Sequence, residues 1–175
     1  TLSNARTYRH QLSSCYIGSS PDNIEGIFDG YKEMGLLSKF GGGIGWDWNQ
    51  IRALGGIIDN HKKAAGGIVP FIKINNDVAI AVDQLGTRKG AIAVYLEPWH
   101  MDINDFIDLK KNSGEERRRA HDLFPALWIT DLFMERVQED SYWTLFDPYE
   151  VKDLSELYGD EFKEKYIAYE NDDSV

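Results

Sequence analysis

Cysteine is almost absent from this sequence of 175 residues, in which Cys15 is the single example. One thiol cannot close an internal disulfide, and the histidines at positions 10, 61, 100 and 121 lack the spacing of metal ligands. We therefore expect no disulfide within the chain and no bound metal. A protein without structural disulfides suits a reducing compartment, so the expected localisation is cytoplasmic.

Long apolar runs and an excess of positive charge are also missing. No apolar stretch is long enough to cross a bilayer, so we expect no membrane partner. The chain has 19 Lys and Arg against 29 Asp and Glu, a formal net charge of −10. This balance argues against a general nucleic-acid binder, which needs a basic face for the phosphates. Small nucleotides stay possible, because a few cations and backbone N–H groups can hold them.

The apolar segments that are present predict an α/β fold. An apolar content of 42% is enough for a globular core, and the length fits one domain. Strands are predicted at residues 12–17, 40–48, 91–96, 122–129 and 142–146, and helices at 22–37, 68–82, 102–111, 130–139 and 149–169. This order predicts five parallel strands joined by helical crossovers. Ser20 is the expected N-cap of the first helix, and a strand is the alternative for residues 68–82.

Two segments have compositions that suggest a ligand. Two serines precede Cys15 in a predicted buried strand, where a hydroxyl beside the thiol could bind a polar substrate. A lone cysteine can equally be an inert core residue, so both interpretations stay open. Four glycines between positions 41 and 45 open the next strand. They indicate either close approach of a ligand to the backbone or tight packing at a bulge.

A long loop is predicted at residues 49–67, a length that usually marks a functional or mobile segment. It contains Arg52, which without a ligand in this loop would be interpreted as a solvated charge. A shorter polar loop follows at residues 83–90.

Several motifs occur together, in this order: QLSSC at 11–15, GIG at 43–45, IRALG at 51–55, VDQ at 82–84, YLEPWH at 95–100, DLKKN at 108–112, DLF at 122–124 and YWTLF at 142–146. Over essentially the whole chain, they resemble the large catalytic subunit of class I or class II ribonucleotide reductase. The resemblance implies that residues 1–175 are a single partial domain, the five-stranded parallel first half of a ten-stranded α/β barrel. We therefore expect a piece of a longer protein.

The resemblance implies reduction of ribonucleotides to 2′-deoxyribonucleotides by thiyl-radical chemistry, for DNA synthesis. Cys15 would be one of two cysteines that reduce the ribose 2′ position and end in a disulfide. Substrate contacts would come from Ser14, Gly42, Gly43, Gln84 and Arg88. Whether the substrate is a diphosphate or a triphosphate stays open.

An effector site and a dimer surface are also implied by the resemblance. Asp22 would contact the ribose of a deoxynucleoside triphosphate or ATP effector, and Arg52 would contact its phosphates. Ile58 falls in the same loop. The helices at 22–37 and 68–82 would form a homodimer interface.

The radical cysteine of this family would lie in the remainder of the large subunit, so we expect the 175-residue chain alone to be inactive and to bind no cofactor directly. The complete enzyme would take its radical from a metal-containing small subunit or from adenosylcobalamin. Its electrons would come from thioredoxin or glutaredoxin. The alternative is a non-catalytic deoxynucleotide-sensing module that keeps only the effector site.

Overall fold

The computed structural model describes residues 5–8, 10, 12–59, 61, 63–82 and 90–172. Its sheet has the strands β1 (Cys15–Ser19), β2 (Gly43–Asp47), β3 (Ile92–Leu96) and β4 (Phe124–Leu127), all parallel and neighbours in that order. The helices are α1 (Ile24–Lys39), α2 (Val69–Ala81), α3 (Ile103–Ile107), α4 (Asp131–Gln138) and α5 (Gly159–Glu170). Helices α1, α2 and α3 each connect one strand to the next. The predicted α/β class, with a parallel sheet and helical crossovers, is confirmed.

The segment at residues 142–146, predicted as a fifth strand, does not join this sheet. Within the described residues it pairs through one isolated parallel bridge, between His100 and Phe146. Phe146 N–H donates to the Trp99 carbonyl at 2.8 Å, just beyond the end of β3. The aromatic side chains of the segment pack elsewhere: Trp143 stacks on Tyr166 of α5 at a centroid distance of 4.3 Å. The described sheet therefore has four strands where the sequence predicts five.

The first helix starts later than predicted. Asn23 is its N-cap, with Oδ1 accepting a hydrogen bond from Gly26 N–H at 2.7 Å. The prediction that Ser20 caps this helix is wrong, because Ser20 is fully buried and accepts a hydrogen bond from Trp46 Nε1 at 2.8 Å. A buried indole N–H needs an acceptor, and Ser20 supplies it. Thr130 does cap α4, as its Oγ1 accepts from Phe133 N–H at 3.4 Å.

Two apolar cores hold the described parts of the chain together. The larger lies between the sheet and α1, α2 and α3, and includes Tyr31, Met34, Ile44, Trp46, Ile68, Ile72, Ile92, Val94, Leu96, Phe106 and Leu109. The smaller joins the segment after β3 to α4 and α5, and includes Trp99, Leu132, Phe146, Val151, Leu154, Phe162 and Tyr166. Helix α2 is confirmed as a helix. No described helix is both long enough and apolar enough to span a membrane.

One face of the sheet is open at β1. Because side chains alternate along a strand, Cys15, Ile17 and Ser19 lie on one face and Tyr16 and Gly18 on the other. Ile17 is 93% exposed, and Cys15 and Ser19 are exposed as well. The prediction of a buried first strand is therefore wrong, because the described helices pack on the opposite face.

Candidate functional site

Cys15 lies where β1 begins, on the open face of the sheet. Its β2 partner is Gly43, which has no side chain, and Gly43 N–H donates to the Ser14 carbonyl at 2.7 Å. Ser14 Oγ is 3.7 Å from the Cys15 sulfur. The thiol is exposed and free. This placement excludes the interpretation of Cys15 as an inert core residue and leaves the sulfur accessible beside a hydroxyl.

Two adjacent glycines near Cys15 differ in what surrounds them. A Cβ added at Gly42 would be 2.8 Å from two ring carbons of Tyr16 and 3.0 Å from the Leu37 carbonyl oxygen. At Gly43 the nearest atom would be the Ser14 carbonyl oxygen, at 3.5 Å. Packing against Tyr16 therefore explains Gly42, whereas the protein itself leaves room for a methyl group at Gly43. Of these two glycines, both predicted substrate contacts, only Gly43 has free space above its Cα atom that a ligand could use.

A cavity of about 690 Å³, the sheet-end cavity, opens at the carboxyl ends of the strands. Ligands of parallel α/β sheets usually bind at this edge. It is lined by Ile17, Gly18, Ser19, Gly45, Asp47, Asn49, Tyr95, Glu97, Trp128 and residues 155–158. The cavity includes Ile17 and Ser19 but not Cys15, which lies at the start of the same strand.

Glu97 is the buried acid of the sheet-end cavity. Its carboxylate accepts hydrogen bonds from Asn49 Nδ2 at 3.1 Å and from Trp99 Nε1 at 2.5 Å. The pKa of Glu97 is raised to about 8, because burial and the nearby Asp47 charge raise it more than the Trp99 hydrogen bond lowers it. Burial also raises the pKa of Asp47. The cavity therefore holds a carboxyl group that keeps its proton to a higher pH than an exposed glutamate does.

A second site brings together the three residues expected to bind an effector. Arg52 Nε and Nη2 both contact Asp22 Oδ2 at 2.7 Å, and Arg52 N–H donates to Asp22 Oδ1 at 3.2 Å. A third guanidinium nitrogen, Nη1, donates to the Ile57 carbonyl. Asp22, Arg52 and Ile58 line one cavity of about 210 Å³, the Asp22–Arg52 cavity, beside the N-terminus of α1. The interpretation of Arg52 as a solvated charge is wrong, since its side chain is 21% exposed and paired.

Buried polar groups fix the loop that carries Arg52. Asp102 accepts hydrogen bonds from Leu54 N–H at 2.9 Å and Ile68 N–H at 3.0 Å, and Asp147 accepts from Ala53 N–H at 3.2 Å. His100 Nε2 lies 2.9 Å from the Ile51 carbonyl oxygen. Burial lowers the pKa of His100, which favours the neutral ring. The described part of this long loop is therefore tied to the segments that follow β3.

Comparison with known proteins identifies the family. The family model described as "Ribonucleotide reductase, barrel domain" matches residues 13–175. The chain belongs to the ribonucleotide reductase barrel-domain family. The resemblance carried by the sequence motifs is thereby confirmed.

Relatives from bacteria and yeast agree with this family. The chain is 72% identical to ribonucleoside-diphosphate reductase subunit alpha of Helicobacter pylori strain J99, with all of this chain and 22% of the relative covered. It is 49% identical to the subunit alpha of Chlamydia trachomatis, over 97% of this chain and 16% of the relative. Ribonucleoside-diphosphate reductase large chain 2 of Saccharomyces cerevisiae is 49% identical, over 98% of this chain and 20% of the relative. The chain spans about a fifth of the length of these reductases.

The ribonucleotide reductase motifs assign roles to some residues of the two candidate sites and none to others. Gln84 and Arg88, the other predicted substrate contacts, lie outside the described residues. The motifs give no role to Asp102 or Asp147, the two acids that hold the Arg52 loop. Their signal in the sequence is position, because each comes shortly after an apolar segment, residues 91–96 for Asp102 and residues 142–146 for Asp147.

Proposed function

We propose that this segment belongs to a barrel that reduces ribonucleotides to 2′-deoxyribonucleotides by thiyl-radical chemistry. In that reaction two thiols become a disulfide, the ribose 2′-OH leaves as water, and a hydrogen takes its place. The observation that carries the proposal is the exposed Cys15 thiol on the open sheet face, beside Ser14 and opposite Gly43. A redox thiol must reach a bound sugar, and this position supplies both access and a neighbouring hydroxyl.

Within this reaction Cys15 provides one of the two reducing thiols. Ser14 has an exposed hydroxyl 3.7 Å from the sulfur, so it can hydrogen-bond a substrate that lies over the thiol. Gly43 leaves room above the backbone for the nucleotide. The second redox cysteine and the radical cysteine would be supplied by the remainder of the large subunit.

The Asp22–Arg52 cavity is the proposed site for a deoxynucleoside triphosphate or ATP effector. The Asp22 carboxylate can accept hydrogen bonds from a ribose hydroxyl, and the Arg52 guanidinium can donate to phosphate oxygens. Arg52 Nη1 uses one N–H for the Ile57 carbonyl, and Nη2 uses one for Asp22. Each of these nitrogens has a second N–H, which is available for a phosphate oxygen. Ile58 gives the cavity an apolar wall on which a base or sugar can pack.

Helices α1 and α2 form the proposed homodimer surface. They are held side by side by hydrogen bonds from Tyr31 Oη to the Phe71 carbonyl at 2.7 Å and from Ser38 Oγ to the Val82 carbonyl at 3.1 Å. Their outer sides expose large apolar residues, namely Ile24, Phe28, Leu36, Ile74 and Ile80. Burying these side chains against a second copy would remove apolar surface from water.

The whole enzyme would need partners beyond this segment. A metal-containing small subunit or adenosylcobalamin would generate the radical, and thioredoxin or glutaredoxin would reduce the disulfide again. A cytoplasmic location would give access to these reductants.

Replacing Cys15 tests the proposal. In the full-length protein, Cys15→Ser should abolish repeated turnover with thioredoxin as reductant, because the 2′-reduction loses one of its two electron donors. Effector binding and the melting temperature should match the wild type, and these two readouts are the internal controls. Unchanged multiple-turnover rates would defeat the redox assignment. A wild-type protein that binds deoxynucleotides yet reduces none would favour the sensing-module alternative.

A further inference from the structure

Tyr149 contacts two cations beside the Asp22–Arg52 pair. The Arg52 Cζ atom lies 4.7 Å from the Tyr149 ring centroid, and Lys152 Nζ lies 4.3 Å from the same centroid. Both distances are within the range in which an aromatic ring attracts a cation. One aromatic ring is therefore in contact with two positive charges.

These residues line a cavity of about 330 Å³, the Tyr149 cavity. Asp22 and Arg52 line both this cavity and the Asp22–Arg52 cavity. The other lining residues are Gln50, Pro148, Tyr149, Lys152, Ser155 and Glu156. A ligand held by Asp22 and Arg52 would thus border the Tyr149 cavity.

The two cations that line the Tyr149 cavity differ in their ion pairs, since Arg52 has a carboxylate partner and Lys152 has none among the described residues. Asp22 is already bound to Arg52 through the contacts at 2.7 Å. Glu156 is the other acid in the lining. In the part of the chain that the structure describes, Lys152 has the Tyr149 ring as a contact and no carboxylate at ion-pair distance. Its ammonium group therefore has donors available for an anion.

The position of Tyr149 is set by a buried acid. Asp147 Oδ1 accepts hydrogen bonds from Ala53 N–H at 3.2 Å and from Tyr149 N–H at 3.0 Å. A single carboxylate thus ties the backbone of Tyr149 to the residue that follows Arg52. The ring and the guanidinium are placed against each other by this shared anchor.

We propose that Lys152 and Tyr149 extend the effector site into the Tyr149 cavity. Lys152 binds the terminal phosphates of a nucleoside triphosphate, as a compact charge with three N–H donors. Tyr149 is a positioning residue that holds Lys152 and Arg52 in place. This inference rests on the proposed effector function, and it assigns the cavity a preference for nucleotides with several phosphates over nucleosides.

Equilibrium binding to the full-length protein tests the inference, with dTTP and thymidine as probes at low and high salt. Lys152→Ala should weaken dTTP binding about tenfold at low salt, through the loss of charge-assisted hydrogen bonds. The salt dependence of dTTP binding should become shallower, and thymidine binding should not change. Lys163→Ala, which removes an exposed cation from α5, is the matched control and should leave dTTP binding unchanged.

Tyr149 is tested by two variants that differ in keeping the ring. Tyr149→Leu should weaken dTTP binding about threefold to tenfold, because the cations lose their aromatic contact. Tyr149→Phe keeps the ring and should bind dTTP like the wild type. Because Lys152 lies at the surface of the cavity, Lys152→Ala remains decisive even when Tyr149→Leu lowers the melting temperature.

The possible failures are distinguishable. Wild-type dTTP affinity and salt dependence in Lys152→Ala, with binding lost in Arg52→Ala, would overturn the inference and leave the effector site intact. Wild-type dTTP affinity in both Arg52→Ala and Asp22→Ala would overturn the effector site and the inference together.

Discussion

Alanine substitutions at Gly42 and Gly43 should separate a packing requirement from a ligand requirement. Both glycines were expected to contact the substrate, yet the structure surrounds them differently. A methyl group at position 42 would meet two Tyr16 ring carbons at 2.8 Å and a backbone oxygen at 3.0 Å. At position 43 the nearest atom is 3.5 Å away, an ordinary contact distance.

The expected changes in stability and in KM follow from these distances. Carbon atoms prefer a separation of about 3.5–4.0 Å, and the Leu37 carbonyl belongs to α1 and cannot swing aside. Gly42→Ala should therefore lower the free energy of unfolding by about 1–3 kcal/mol, the usual cost of overpacking. Gly43→Ala should leave it unchanged or raise it by about 0.5–1 kcal/mol, because alanine restricts the unfolded chain. If the nucleotide approaches Gly43, the methyl group should raise KM about tenfold.

The assay combines urea unfolding with steady-state kinetics of ribonucleotide reduction by the full-length protein. Gly35→Ala is the control, because Gly35 lies within α1 and its added Cβ would be at an ordinary contact distance, 3.8 Å, from Val82 Cγ2. Because alanine has a higher helix propensity than glycine, Gly35→Ala should raise the free energy of unfolding by up to about 1 kcal/mol and leave KM unchanged. The reasoning is refuted if Gly43→Ala loses as much stability as Gly42→Ala, or if its KM equals that of the wild type.

Two further predictions concern titration and assembly. Because the pKa of Glu97 is raised from 4.5 to about 8, the folded state keeps a proton that the unfolded state has lost. The free energy of unfolding should thus fall as the pH rises from about 4.5 to about 8, by up to about 1.4 kcal/mol per pH unit. The fall should be steeper than in Glu97→Gln. Equal pH dependence of the two proteins in urea unfolding would contradict this. If the full-length protein forms the proposed homodimer, Phe28→Asp should convert it to monomers in light scattering, whereas Met134→Asp, similarly exposed on α4, should not. A dimer that persists in Phe28→Asp would argue against the α1–α2 surface.

Much of the fold could be predicted from the sequence, because local patterns specify local structure. The apolar run of β3 and the spacing of Ile27, Tyr31 and Met34 in α1 were sufficient to predict these elements. Residues 142–146 have an equally apolar pattern, yet Trp143 and Phe146 pack against α5. An apolar pattern indicates burial, but it does not say which core receives the side chains.

The sites depend on contacts between distant parts of the chain, which local patterns cannot predict. Asp22 and Arg52 are 30 residues apart, and only the family resemblance placed them together before the structure did. Tyr149 lies almost a hundred residues beyond Arg52 and is brought to it by Asp147. The exposure of Cys15 also escaped prediction, because a half-covered strand and a buried strand of this length look alike in sequence.

The most direct test of the redox role is to follow Cys15 through one turnover. The reduced full-length protein, supplied with its proposed radical source, would be given one equivalent of ribonucleotide without external reductant, then alkylated and analysed by mass spectrometry. We expect Cys15 to be alkylated before turnover, and afterwards to be joined in a disulfide in proportion to the deoxyribonucleotide formed. Full alkylation of Cys15 after the product has formed would contradict the role assigned to this thiol.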